Sequence, residues 1–229
     1  MNKKMNLISL ILMKIKKKII SIKYFLTAWI QNKKIIYLNK YENYKDYLTH
    51  QKDKTTNPEK IKVWLGEEWD IKYRGFLEIF QRNKEYVLSK KKALCLGSRT
   101  GQEVKALLDL GINAKGIDLV AFPPYTFEGD IHNINMRNEN VDFVFTNIID
   151  HSIYPEKFCS EMERICTIGG HIIIHIQKGI DGDLYSENMI NDPEVIIRFF
   201  KSCSLVESRP IQNNFDLMNW EIILEKINI

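Results

Sequence analysis

Cysteine is scarce: 229 residues hold four, with no Cys-x-x-Cys pair and no histidine at metal-ligand spacing. That pattern excludes a disulfide scaffold and a structural zinc site. Cys95, Cys159, Cys166 and Cys203 each stand in apolar surroundings and read as small buried hydrophobes in a reducing, cytoplasmic setting. Uninterrupted apolar runs of the roughly 20 residues that a bilayer span needs are also missing. Lys14, Lys16, Lys17, Lys18 and Lys23 break up the stretch 7–30, and no small-residue cleavage site follows it. A tight Gly-x-Gly-x-x-Gly loop is lacking too, which counts against a nicotinamide-dependent oxidoreductase.

Acid is missing from one end only. Residues 1–40 contain ten lysines and no Asp or Glu, leaving 23 basic against 29 acidic residues in the remainder. The head is therefore +10 and the body −6. An acidic body makes nucleic acid an unlikely partner of the folded part, because phosphate binding needs a concentrated basic face. Placed on a helix, Ile8, Ile11, Leu12, Ile15, Ile19, Ile22, Leu26 and Trp29 form one stripe edged by lysines. Three readings stay open for residues 7–30: a helix on an anionic membrane surface, a helix packed on the domain, or a targeting segment.

The length allows one α/β core with an extension and is too short for two ordinary domains. Three parts are expected: a basic amphipathic extension over 1–40, a linker and helical cap over 41–89, and a ligand-binding domain over 90–229. Within the cap, 40–57 shows no sustained period, whereas Asn57-Pro58 reads as an N-cap with proline at the first helical position. Val63, Trp64, Trp69, Tyr73, Phe76, Leu77 and Phe80 then recur near helical spacing, and Arg74 is an outside candidate for reaching a carboxylate.

The chain is organised around Lys92–Val104, an apolar run that stops at Gly97, turns to Gly101 and restarts with helical spacing. It reads as strand, glycine loop, helix. Gly111 is expected to stop the helix, and a second strand ends in Gly116-Ile117-Asp118. Tyr125–Glu128 gives a third strand running into Gly129-Asp130, and Val141–Asn147 a fourth that leads to Asp150 and His151. Pro155 opens a helix that Gly169-Gly170 is expected to end. His171–Ile176 is a near-continuous apolar run, as a central parallel strand requires, with His175 as a core histidine. A polar loop over 179–191, a helix over 193–202 and two edge strands near 205–211 and 218–225 complete the chain.

In an open α/β sheet, ligands bind outside the carboxyl ends of the strands where the winding reverses. Gly97, Asp118, Asp130 and Asn147 all fall there. The glycine loop lets backbone approach a ligand, the helix after it favours negative charge, and a carboxylate after the second strand suits a ribose diol.

This ordered set resembles the class I S-adenosylmethionine-dependent methyltransferases over roughly 90–226. Cys-Leu-Gly-Ser-Arg-Thr-Gly-Gln-Glu, Gly-Ile-Asp-Leu, Gly-Asp-Ile-His-Asn and Asn-Ile-Ile-Asp-His-Ser-Ile-Tyr-Pro-Glu-Lys-Phe resemble in particular a plant-type, methyltransferase-like group of undefined substrate. The sequence departs from the broader family where Cys95 replaces an acid and Arg99 the middle glycine of the loop. The resemblance implies a Rossmann-like fold: a seven-stranded, mostly parallel sheet with a C-terminal antiparallel hairpin and helices on both faces. It implies S-adenosylmethionine as cofactor, no metal, and an acceptor that the sequence does not identify as small molecule, lipid or protein. It carries cofactor binding onto Gly97, Ser98, Arg99, Gly101, Asp118, Leu119, Asp130, Ile131 and Asn147. Asp150 and His151, just past the fourth strand, are the candidate catalytic pair, with helix capping as their structural alternative. Glu103 is a candidate for bonding the loop or the cofactor. A non-catalytic binding protein of the same fold, held at a membrane by its head, is the other reading.

Overall fold

A computed structural model describes residues 34–39, 41–212 and 215–228. The amphipathic stretch 7–30 lies outside the described residues, and among those described no helix is long and apolar enough to cross a membrane. In chain order the elements are β1 (Ile35–Tyr37), α1 (Tyr44–Thr56), α2 (Pro58–Leu65), α3 (Trp69–Arg82), α4 (Lys84–Val87), β2 (Lys92–Leu96), α5 (Gln102–Asp109), β3 (Asn113–Asp118), β4 (Thr126–Glu128) and β5 (Val141–Thr146). A 3-10 turn at Ile149–His151 follows, then α6 (Pro155–Ile165), β6 (Cys166–Ile176), β7 (Asn188–Ile190), α7 (Glu194–Ile197), β8 (Cys203–Pro210) and β9 (Trp220–Lys226).

Seven strands form one sheet in the order β4-β3-β2-β5-β6-β9-β8, and β1 pairs antiparallel with β7 in a separate two-stranded ribbon. The strands from β4 to β6 run parallel, while β9 is antiparallel to both β6 and β8. β2 lies between β3 and β5, so the winding reverses beside it, as the sequence pattern requires. Leu96 is in register with Ile117 on one side and Thr146 on the other, which brings three carboxyl ends level.

Each face of the sheet is covered by helices because its strands are apolar on both sides. On one face Phe76, Ile79 and Phe80 of α3 and Val104 and Leu107 of α5 pack on Ala93, Phe143 and Phe145. On the other, Phe158, Cys159, Met162 and Ile165 of α6 and Ile196 of α7 pack on Leu94, Val144, Ile172 and Ile174. Burying side chains of this size stabilises by about 1.5–3 kcal/mol each before chain entropy is counted.

Several boundaries differ from the sequence expectations, each for a local reason. The stretch 41–57 contains the 13-residue helix α1, whose buried positions are Tyr47, Gln51 and Thr55, so it shows little apolar period. The expected cap helix is two helices, because the chain breaks at Gly66, whose amide closes α2 on Lys62 and Val63 carbonyls. Asn57 caps α2, its side chain accepting from the amides of Glu59 and Lys60. α6 ends at Ile165, and Gly169-Gly170 lie within β6, where the β5–β6 register shifts between Val141 and Phe143. The loop 179–191 contains β7, and the expected helix over 193–202 is the single turn α7.

The far edge of the sheet is tied to the cap by a buried carboxylate. Glu221 on β9 is fully buried and accepts from Asn83 Nδ2 at 2.7 Å, His175 Nε2 at 2.8 Å and Arg209 Nε at 3.0 Å. Arg209 also donates to Asn83 Oδ1 at 2.7 Å, closing a ring of bonds between the end of α3 and strands β6, β8 and β9. Burial alone would raise the Glu221 pKa; the His175 hydrogen bond, with Arg82 and Asn83, outweighs it and sets the value at about 2. A depressed carboxylate stabilises the fold above its unfolded pKa and loses that contribution as pH falls toward the folded value. Glu221→Gln is therefore expected to lower stability by about 3 kcal/mol near neutrality. In urea titrations between pH 7 and pH 2, the wild type should lose stability more steeply on acidification than the variant. Parallel pH dependences would show that Glu221 carries no such linkage.

Candidate functional site

The loop after β2 is built by its backbone. Gly97 has φ +72° and its amide donates to the Ile117 carbonyl at 2.8 Å, folding the turn against the end of β3. A Cβ there would stand 2.3 Å from Ile148 Cγ1, so only glycine lets the loop meet the segment after β5. Arg99 adopts φ +45°, a left-handed conformation that a glycine would enter at less cost. Its amide donates to Asp118 Oδ2 at 2.9 Å, while the Val120 amide lies 3.4 Å from Oδ1. Burial raises the Asp118 pKa, with the Arg99 amide and charge acting against it.

Asp130, past the end of β4, is held from two sides. The Tyr44 hydroxyl of α1 lies 2.8 Å from both of its carboxylate oxygens, and the His132 amide donates to Oδ1 at 2.8 Å. His132 is buried, with Nδ1 2.8 Å from the Tyr44 oxygen and Nε2 2.7 Å from Ser152 Oγ. With Tyr44 donating to Asp130, the Tyr44 oxygen accepts from His132 Nδ1. Burial works against ionisation of Asp130, but His132 and Tyr44 hold its pKa at about 2.

The candidate catalytic histidine has a fixed orientation. His151 Nδ1 lies 2.7 Å from the Tyr185 carbonyl, which can only accept, so Nδ1 carries the proton. In the neutral ring Nε2 is then the acceptor, 3.4 Å from Lys54 Nζ and 3.6 Å from Asp150 Oδ2. Lys54 pairs with Asp183 at 2.6 Å; burial lowers the lysine pKa while Asp183 resists that, and Asp183 itself is held at about 2 despite its own burial. Asp150 is buried and also receives the Ser186 hydroxyl at 3.4 Å.

These groups converge. A narrow pocket of about 60 Å³ is lined by Gly97, Arg99, Asp118, Leu119, Asp130, Ile131, Ile148 and His151, with Tyr47, Gln51, Lys54 and Thr55 of α1 as its roof. It shares Lys54, Gly97, Arg99, Ile148 and His151 with a cleft of about 690 Å³. The cleft adds Ser98, Glu103, Asn147, Asp150 and Ser186, and an apolar group of Ile71, Phe76, Phe215, Leu217 and Met218. Burial pushes the Glu103 pKa up to about 8, so this carboxyl is largely neutral at pH 7.

The structure thus gathers ten of the eleven sequence candidates along the two cavities, Asp150 and His151 included. Gly101 lines neither cavity; its φ of +87° and the Tyr125 Cβ that would lie 2.4 Å from an added Cβ make it a turn residue. Arg74 is exposed and lines no described cavity, whereas Lys72, two residues earlier, does. Sequence reasoning missed the roof: Tyr44, Tyr47, Gln51 and Lys54 recur at three- and four-residue spacing, a helical stripe made of polar and aromatic side chains.

Residues 94–174 match the family described as "Methyltransferase domain". These residues form a methyltransferase domain. Three solved structures share the chain's fold. A 1,6-didemethyltoxoflavin N1-methyltransferase of Burkholderia thailandensis, solved with 1,6-didemethyltoxoflavin and S-adenosylhomocysteine, has a TM-score of 0.62 and 12% identity, covering 85% of this chain and 95% of its own. A SAM-dependent methyltransferase of Archaeoglobus fulgidus gives 0.54 and 13%, covering 67% and 94%. A possible histamine N-methyltransferase of Thermotoga maritima gives 0.53 and 16%, covering 73% and 97%. A search of curated proteins by sequence returns no match.

Gly101 offers a test of the loop. Gly101→Ala adds a left-handed alanine and a contact with Tyr125 that neither residue can relieve by a rotamer change. A loss of about 2–4 kcal/mol is expected, seen as a lower urea midpoint. An unchanged midpoint would mean that the turn tolerates a side chain.

Proposed function

We propose that the protein transfers the methyl group of S-adenosylmethionine to a nitrogen or oxygen of a small organic acceptor seated in the cleft. The reading rests on the convergence of the loop, Asp118, Asp130 and His151 on one pocket that continues into the cleft. The residues present fit the cofactor. Asp118 holds the Arg99 amide on Oδ2 and only a long 3.4 Å contact from the Val120 amide on Oδ1, which leaves acceptor capacity for a vicinal diol. Asp130 and Ile131 would take the adenine side. Gly97 and Ser98 bring backbone close, and the first turn of α5, which has no side-chain cap, favours the methionyl carboxylate. Gln51, Lys54 and Tyr47 would close over the ligand from α1.

When bound, S-adenosylmethionine supplies an electrophilic methyl group on a sulfonium, so the protein's task is alignment more than activation. His151 is placed to remove the acceptor's proton at Nε2, because the Tyr185 carbonyl fixes the tautomer and Asp150 lies close enough to stabilise the imidazolium. A concave, partly apolar cleft of this size suits a small molecule.

Calorimetry on the full chain is expected to show binding of S-adenosylmethionine and S-adenosylhomocysteine and none of NAD. Asp118→Ala should weaken the homocysteine form about a hundredfold, the worth of two hydrogen bonds to a charged group. Silence with both adenosyl ligands would remove the methyltransferase reading. His151→Gln should leave S-adenosylhomocysteine affinity within about twofold and cut transfer of labelled methyl to a small-molecule extract by about a hundredfold or more. Equal transfer by the variant would exclude His151 as the base.

A further inference from the structure

The sequence puts arginine at the middle position of the loop, and its backbone amide serves Asp118. The side chain reaches the neighbouring helix α2. Its guanidinium stacks on Trp64 of α2, 4.2 Å from the ring centroid, and makes no hydrogen bond or ion pair to any described residue. Trp64 is buried and its carbonyl accepts from Gln102 Nε2 at 3.2 Å, so the stacking platform is fixed to the first turn of α5. Stacking fixes the guanidinium plane and leaves the N–H donors along its edges unpaired.

Nearby carboxylates do not claim those donors. Glu68 pairs with Lys72 at 2.6 Å, Asp183 pairs with Lys54, Asp118 takes the Arg99 amide, and Glu103 is largely neutral. Arg99 and Trp64 line a groove of about 600 Å³ with Val63 and Leu217, and this groove shares Lys54, Glu68, Lys72, Arg99, Asp183 and Leu217 with the cleft. An acceptor reaching His151 from the groove therefore passes an oriented guanidinium with Val63, Trp64 and Leu217 beside it, in a lining that also carries Glu59 and Lys60.

We infer that the Arg99 guanidinium reads a carboxylate on the acceptor, so that the acceptors are small carboxylic acids with an apolar part and a methyl-accepting nitrogen or oxygen. The inference rests on the methyltransferase reading of the site and deepens it. A planar bidentate anion matches the guanidinium fork, whereas a neutral acceptor would leave the donors unanswered. The methionyl carboxylate of the cofactor shares this chemistry and is separated from the acceptor's in the test.

The test uses the full chain, wild type and Arg99→Gln, with four probes: S-adenosylhomocysteine, 5′-methylthioadenosine, which lacks the amino-acid part, benzoate, and its neutral analogue benzamide. With S-adenosylhomocysteine saturating, nuclear magnetic resonance titration is expected to give benzoate at least about tenfold tighter binding than benzamide, and Arg99→Gln should abolish that preference. Arg99→Lys should restore part of it, since charge remains without the fork. The affinity ratio of S-adenosylhomocysteine to methylthioadenosine should be the same in wild type and Arg99→Gln, and unchanged methylthioadenosine affinity shows that the loop is intact. A benzoate preference that survives in Arg99→Gln overturns the inference. So does a tenfold fall in the ratio with benzoate unaffected, which would give Arg99 to the cofactor's carboxylate. Failure of both adenosyl probes to bind the wild type would instead remove the cofactor site beneath it.

Discussion

Parallel pairing of β2 with β3 on one side and β5 on the other is the constraint from which the site follows. Because Leu96 is level with both Ile117 and Thr146, the chain leaves three adjacent strands at one height and must turn there three times. The turn after β2 leaves the Arg99 amide in need of an acceptor, and Asp118 at the end of β3 supplies it. The turn after β5 brings Ile148 against Gly97 and carries on into the Ile149–His151 turn. Apolar packing on both faces holds the strands, and the polar chemistry gathers where their backbone hydrogen bonding ends.

The roof is held by a different kind of force. α1 buries polar side chains, and its ties are hydrogen bonds: Tyr44 to Asp130, Tyr47 to the His151 carbonyl at 3.1 Å, Gln51 to the Tyr185 carbonyl at 2.8 Å and to Glu187 at 2.6 Å, and Lys54 to Asp183. The neutral ones are worth about 1 kcal/mol net and those to carboxylates about 1.5–3, so these five ties together hold less than the apolar packing on both faces of the sheet. A cover attached in this way can open while the sheet stays intact, and so can admit a ligand to a pocket too narrow for one as it stands. The same ties connect Asp130 to the histidine turn through Tyr44, His132 and Ser152.

What could be read from the sequence follows the same division. The sheet was legible because fully buried strands write unbroken apolar runs, and because glycine and aspartate at their ends mark the turns; Asp118, Asp130 and His151 were placed beyond strand ends this way. The roof was not, since Tyr47, Gln51 and Thr55 are helical in spacing but carry no apolar signal. β7 was hidden for another reason: three residues whose partner strand is β1, over 150 positions earlier, leave little local trace. Arg74 shows the limit of helix-face reasoning, because the break at Gly66 resets the phase and puts Lys72 in the cleft instead. Gly169-Gly170 suggested a helix stop, but their conformation serves a strand irregularity.

Arg99 joins the two divisions. A left-handed backbone costs a non-glycine residue roughly 1 kcal/mol, and a cation stacked on a tryptophan returns an amount of that order. The loop therefore keeps its shape without the middle glycine. In exchange, one residue presents its amide to Asp118 in the pocket and its guanidinium to the groove on the other side. Glycine would serve the first purpose alone. Backbone and side chain thus belong to one turn braced on Trp64, whose carbonyl is tied to the first turn of α5, so the same packing that holds the loop amide toward Asp118 holds the guanidinium plane.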